Sequence, residues 1–150
     1  MQYWLMKSEP EVFSIDDLSK VSREPWDGVR NYQARNFMKS MNKGDLAFFY
    51  HSNCKPPGIA GIMSIVKTAY PDHTALDPKS PYFDEKASEE NPRWYMVDVK
   101  FKKRFKQLIS LNDLKEVDAL ADLSLVRKGN RLSIMPVTEE QWNCILGLSS

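Results

Sequence analysis

The chain has 150 residues, 42% of them apolar and 27% charged, with a formal net charge of +1. That length suits one domain around one core, and the composition excludes a disordered chain. Near-neutrality also excludes a whole-molecule field that would draw the protein onto nucleic acid or membrane, so such binding has to come from a local patch. Cys54 and Cys144 stand far apart and outside any C-x-x-C pair, which argues against a thiolate metal site and for two reduced thiols. The start lacks the basic residues and long apolar run of a signal peptide, and no run of about 18 apolar residues occurs. The expectation is a soluble, cytoplasmic protein with no membrane partner.

Residues 3–6 (Tyr-Trp-Leu-Met) read as a buried strand that ends in Lys7-Ser8-Glu9-Pro10, where proline removes a ladder donor. Three helix starts share one grammar. Ser14 with Asp17, Ser110 with Asp113 and Thr138 with Gln141 place a hydroxyl three residues before a side-chain acceptor. Phe13 with Leu18, Ile109 with Leu114 and Val137 with Trp142 supply the accompanying apolar staples. Asn31 is a fourth N-cap, with Ala34, Phe37, Met38 and Met41 on one face behind it and a stop near Asn42-Lys43-Gly44. Its staple positions are Arg30 and Arg35, so this helix start is open to an anionic or carbonyl-bearing ligand.

Residues 46–50 are apolar on both faces and read as a central strand delivering His51-Ser52-Asn53. A turn leads to a second strand over 59–66, where Gly61 predicts a bulge or a close backbone approach. Residues 71–93 carry no periodicity and read as a lid or mobile loop that Tyr82 and Phe83 anchor. Residues 94–109 alternate cleanly. Tyr95, Val97, Val99, Phe101 and Phe105 face one way, and Asp98, Lys100, Lys102, Arg104 and Lys106 the other. The four cations recur about every 6.6 Å; they suit a nucleic-acid backbone, and equally a protected edge strand. A short helix over 119–126, a stretch over 130–134 that leads into a last short strand, and a final helix burying Trp142, Ile145 and Leu146 complete the chain. The class is mixed α/β (α+β): about five to six short strands in a bent sheet or barrel, flanked by short helices.

No nucleophile elbow, phosphate loop or dinucleotide fingerprint is present, and no carboxylate cluster flanks His51 or His73 with metal-ligand spacing. A base-binding pocket needs an aromatic face and a few fixed polar groups. Trp26, Tyr32 and Tyr50 offer faces, Asn31, Ser8, Glu9 and Ser52 offer edges, and Arg30, Arg35, Lys7 and Arg131 offer charge for phosphate.

The stretch 26–36 (Trp-Asp-Gly-Val-Arg-Asn-Tyr-Gln-Ala-Arg-Asn) resembles the EVE domain family. Residues 4–10, 48–52, 57–62, 70–72, 94–99 and 131–133 add to the likeness, which runs from Tyr3 almost to the C-terminus. The resemblance implies a PUA-like bent β-barrel flanked by helices, related to modules that read modified bases in DNA or RNA. It implies a binder of a 5-substituted cytosine flipped into a pocket; we expect the protein to be non-catalytic, cofactor-free and monomeric. That pocket would be built from Lys7, Ser8, Glu9, Trp26, Arg30, Asn31, Tyr32, Tyr50, His51, Ser52, Arg131 and Ser133; the residue pattern itself adds Arg35, Lys100, Lys102, Arg104 and Lys106 for the nucleic-acid backbone. Eukaryotic members carry a basic N-terminal extension that is not seen here, which leads us to expect a bacterial-type cytoplasmic member. Tyr82-Phe83-Asp84-Glu85 also lacks the proline expected after the aspartate. The rival expectations are an enzyme on nucleotides or modified nucleic acid, with His51 or Glu9 as acid-base group, and a small-molecule-binding module.

Overall fold

The computed structural model describes residues 1–149. Within them lie six strands and four α-helices: β1 (Tyr3–Ser8), α1 (Ile15–Val21), β2 (Arg23–Pro25), α2 (Tyr32–Ser40), β3 (Leu46–His51), β4 (Gly58–Pro71), β5 (Tyr95–Ser110), α3 (Leu111–Lys115), β6 (Ile134–Val137) and α4 (Glu139–Leu148). The strands form one mixed sheet in the order β2-β5-β4-β3-β1-β6. Only β1 and β3 run parallel; the other four pairings are antiparallel. The expected closed barrel is not formed among the described residues. The sheet stays open, because its outer strands β2 and β6 are three and four residues long and do not pair with each other.

Both faces of the sheet are buried at its centre. Phe48 of β3 joins Leu5, Ile59 and Phe105 in one cluster under Leu114 and Trp142, while its neighbour Phe49 joins Trp4, Met6 and Met63 in another under α1 and α2. Strand alternation sends adjacent side chains to opposite layers, which is why 46–50 is apolar throughout. The β4–β5 register slips at several points, and each extra residue adds bend and twist. Gly61 sits at one of them, where a Cβ would lie 2.2 Å from the Lys103 carbonyl oxygen. The close approach expected at this glycine is present.

The capping boxes of α1 and α4 form as expected, and Ser110 caps α3. Asn31 caps α2 by accepting from the Ala34 amide. Some elements differ from expectation. Helix α2 stops at Ser40, with extended Met41 as its cap; Gly44 (φ +96°) serves the following turn instead. In place of the short helix over 119–126 stand two single 3-10 turns, Asp118–Leu120 and Ser124–Val126, with Leu120, Leu123 and Leu125 buried. The last strand, β6, starts at Ile134 where 130–134 was expected to lead into it, after the Asn130 side chain closes a turn onto the Leu132 amide. β2 has too few residues for a sequence signal and exists through its pairing with β5.

Candidate functional site

A cavity of about 570 Å³ opens where the end of β1, the turn after it, the β2–α2 connection and the 71–93 segment converge. Of the expected residues, Lys7, Ser8, Glu9, Trp26, Arg30 and Ser133 line it. Ser133 is drawn in because its carbonyl accepts from the Lys7 amide at 2.8 Å. Ser8 Oγ donates to the Phe13 carbonyl, and the Glu9 carboxylate accepts from Asn53 Nδ2 at 2.9 Å. Burial lowers the Lys7 pKa, and its ammonium lies 5.8 Å from the Tyr50 ring centre.

Trp26 is both core and wall. Its amide donates to Val97, its ring meets Phe49 edge-on at 5.4 Å, and only 7% of it is exposed. The indole N–H has no partner among the described residues; no buried side-chain nitrogen or oxygen is left unsatisfied, so this donor opens onto the cavity.

Arg30 has a different role from the one expected. Nε and Nη2 donate to the Tyr82 carbonyl, Nη1 to Val29 and Asp72, and Nη2 also to Thr74 Oγ1. All five N–H donors of the guanidinium are thereby committed. The buried Asp72 carboxylate also accepts from the amides of Gly28 and Thr74 and from the Thr74 hydroxyl. Burial pushes the Asp72 pKa up, but these hydrogen bonds together outweigh it and hold the carboxyl below its ordinary value. Arg30 and Asp72 thus strap the 71–93 segment onto the pocket, with Tyr82 as a wall.

Asn31, Tyr32, Tyr50, His51, Ser52 and Arg131 do not line the cavity. The Asn31 side chain is the α2 cap. Tyr32, half exposed, stacks on Trp94 at 4.9 Å, with the Arg35 guanidinium 4.8 Å above its ring. Tyr50 is buried in the opposite layer, where burial, and after it the Cys54 thiol, raises its pKa to about 12. His51 Nε2 accepts from the Ile15 amide at the start of α1; burial lowers its pKa, partly offset by Asp16. Ser52 continues the parallel ladder, donating to the Ser8 carbonyl. Arg131 is exposed on the loop before Ser133.

The expected backbone cations divide. Arg35 donates to the Arg93 carbonyl and to Asn36. Lys100 and Lys102 are exposed and line neither this cavity nor the next. Arg104 and Lys106 line a second cavity of about 340 Å³.

Sequence reasoning passed over Asp27 and Glu24, two carboxylates that line the first cavity without a hydrogen bond or ion pair to any other residue among the described residues. Burial raises both pKa values. For Asp27 the charge of Asp72 adds to this, against His73 and Arg30; for Glu24 the charges of Asp27 and Asp98 add. The signal was available at Asp27, which lies between the pocket indole and the glycine but looked like a turn residue. Among the described residues no group of three or more His, Cys, Asp or Glu converges in a way that would hold a metal.

The EVE domain model matches residues 2–148. Thymocyte nuclear protein 1 of Homo sapiens is 47% identical, over 97% of this chain and 73% of its own length. A crystal structure of the human THYN1 protein in complex with 5-methylcytosine-containing DNA superposes with a TM-score of 0.95 at 47% identity, covering 100% of this chain and 98% of that one. A Pseudomonas syringae protein of solved structure reaches 0.97 at 58% identity, covering 99% of each chain. This chain belongs to the EVE domain family.

Proposed function

We propose that the protein is a non-catalytic reader of modified cytosine in DNA that takes the flipped base, 5-methylcytosine in the first instance, into the 570 Å³ cavity. The observation that carries this reading is the unpartnered carboxylate of Asp27 beside the indole of Trp26. Cytosine presents an exocyclic N4 amine, a donor that a carboxylate accepts. Asp27 takes that amine, with Glu24 as the neighbouring acceptor. The free Trp26 N–H supplies a donor for the acceptor side of the base, and Phe13, Pro25 and Val29 supply apolar surface for a 5-substituent. Lys7, Ser8, Glu9 and Ser133 shape the remaining wall. The cavity lies within the usual volume of a ligand cleft, and we take the bent sheet as a PUA-like frame for it.

The DNA complex of the human relative supports DNA as the polymer. His51 and Glu9, the groups expected to serve an enzyme here, each accept a hydrogen bond inside the protein.

The test is titration of one duplex, with and without 5-methylcytosine at a single position, and of the matching RNA. Tighter binding of the modified DNA, lost in Asp27→Ala, is the expected result. Equal affinity for both duplexes, or unchanged affinity in Asp27→Ala, would overturn the reading.

A further inference from the structure

The two cavities share a wall. Glu9, Val12 and Phe13 line the first, while Pro10 of the same turn and Ile15 and Asp16 at the start of α1 line the second. The Asn53–Glu9 hydrogen bond ties the turn to the 53–56 segment, whose Cys54, Lys55 and Pro56 also line the second cavity.

This second hollow gathers donors with few acceptors. Lys55 and Lys106 line it without an ion pair among the described residues. Arg104 lines it too, paired with Asp16 at 3.0 Å in an exposed contact. Such exposed pairs exchange partners at little cost. Glu11, near Cys54, and Glu9, bonded to Asn53, stand close by but do not line the hollow, so among its lining residues three cations face one carboxylate.

His51 adds an independent sign. Because Nε2 accepts from the Ile15 amide, the neutral ring carries its proton on Nδ1. That N–H has no partner, and no side-chain nitrogen is buried without one, so it too is open. An imidazole donor locked in one tautomer beside three cations is a set that a phosphodiester oxygen satisfies.

We infer that the cavity formed by His51, Lys55, Arg104 and Lys106 is a phosphate site, holding the backbone of the same DNA strand whose base enters the first cavity. The inference rests on the proposed reading for its ligand. The segment 9–16 then stands between base and phosphate, and the DNA strand crosses it. The alternating run on β5 contacts the backbone only through its second half, since Lys100 and Lys102 lie outside the hollow.

The experiment measures affinity against salt for a duplex carrying one 5-methylcytosine and for its unmodified counterpart. Each phosphate contact contributes about 0.9 to the slope of log affinity on log salt. Lys55→Gln with Lys106→Gln is expected to flatten the slope by roughly 2. It should weaken both duplexes by the same factor and leave their ratio unchanged. Lys115→Gln with Lys128→Gln, exposed positions lining neither cavity, should leave the slope as in the wild type. Inorganic phosphate should compete with the wild type at lower concentration than with the Lys55/Lys106 variant.

An unchanged slope in the Lys55/Lys106 variant, or an equal fall in the control variant, overturns the phosphate site. A wild type that binds both duplexes equally, with a slope that still depends on Lys55 and Lys106, overturns the base reading and keeps the phosphate site. No binding to either duplex overturns both.

Discussion

The Tyr82 ring sits so close to Gly28 that a Cβ there would lie 2.7 Å from the tyrosine Cζ. Gly28 also has φ +78°, a conformation that L side chains rarely adopt. Gly28→Ala is therefore expected to cost about 1–3 kcal/mol of stability and to displace the strap, lowering affinity for modified DNA. In a Tyr82→Ala background the clash is gone and only the backbone strain remains, so the same substitution should cost less. Denaturant melts of the four proteins check this; strictly additive effects would show that ring and glycine are uncoupled.

Asp27 should behave as a residue kept for binding at the expense of the fold. Its folded pKa is raised, above all by burial and then by the charge of Asp72. The folded state then holds the proton more tightly than the unfolded chain, so stability falls as pH rises through the ordinary value of 3.8 and on through the folded one. At neutral pH the charged carboxyl is a net cost. Asp27→Asn is expected to raise Tm at pH 7, with the gain vanishing below about pH 3.8. The same change should weaken modified-DNA binding on the order of ten- to a hundred-fold. Thermal melts at two pH values, beside titrations, give both readouts.

Asp72 titrates in the opposite sense. Its folded pKa is held below the ordinary 3.8, so its contribution is present above that value and is lost as pH falls through the folded one. Asp72→Asn leaves Arg30 without its anion in a site where the carboxylate side chain is fully buried. A loss of about 3 kcal/mol or more is expected, with faster proteolysis within 71–93. A variant as stable as the wild type, with the segment equally protected, would show that Arg30 and its carbonyl contacts suffice.

His51 gives an acid-side signature of its own. Burial depresses its folded pKa below the ordinary 6.5, and Nε2 must remain unprotonated to receive the Ile15 amide. That contribution is complete above pH 6.5 and is lost as pH falls below it, because the unfolded chain takes the proton more readily. His51→Gln keeps an acceptor for the amide, so its Tm should fall less than that of the wild type from about pH 6.5 to about pH 5. Parallel melting curves across that range would rule the role out.

Local signals were legible and long-range ones were not. The caps at Ser14, Asn31, Ser110 and Thr138 depend on neighbours three residues away, and all four form. The central strand over 46–50 could be read because a strand buried on both faces has no polar side. What the open start of α2 does could not be read this way. The amide of Asn31 looks the same whether it caps a helix or reads a base, and here it caps. Tyr32 turned outward onto Trp94, a partner 62 positions later that no local pattern reveals. Alternation along β3 sent Tyr50 into the layer away from the pocket once that strand was flanked on both sides. Arg30 looked like a phosphate ligand until the distant Asp72 and Tyr82 claimed its donors. Core and caps are properties of segments, whereas the pocket is a property of how segments meet.

The short outer strands govern how copies of this protein can meet. β2 ends in Pro25, and β6 carries Pro136 at its third position, so each free margin lacks a backbone donor. A neighbouring chain that tried to extend the sheet would find three or four residues to grip and a missing amide among them. Growth by strand addition, the usual route from an open sheet to fibres, is closed at both ends. Copies of this protein brought close together would therefore meet through side chains and not by extending the sheet.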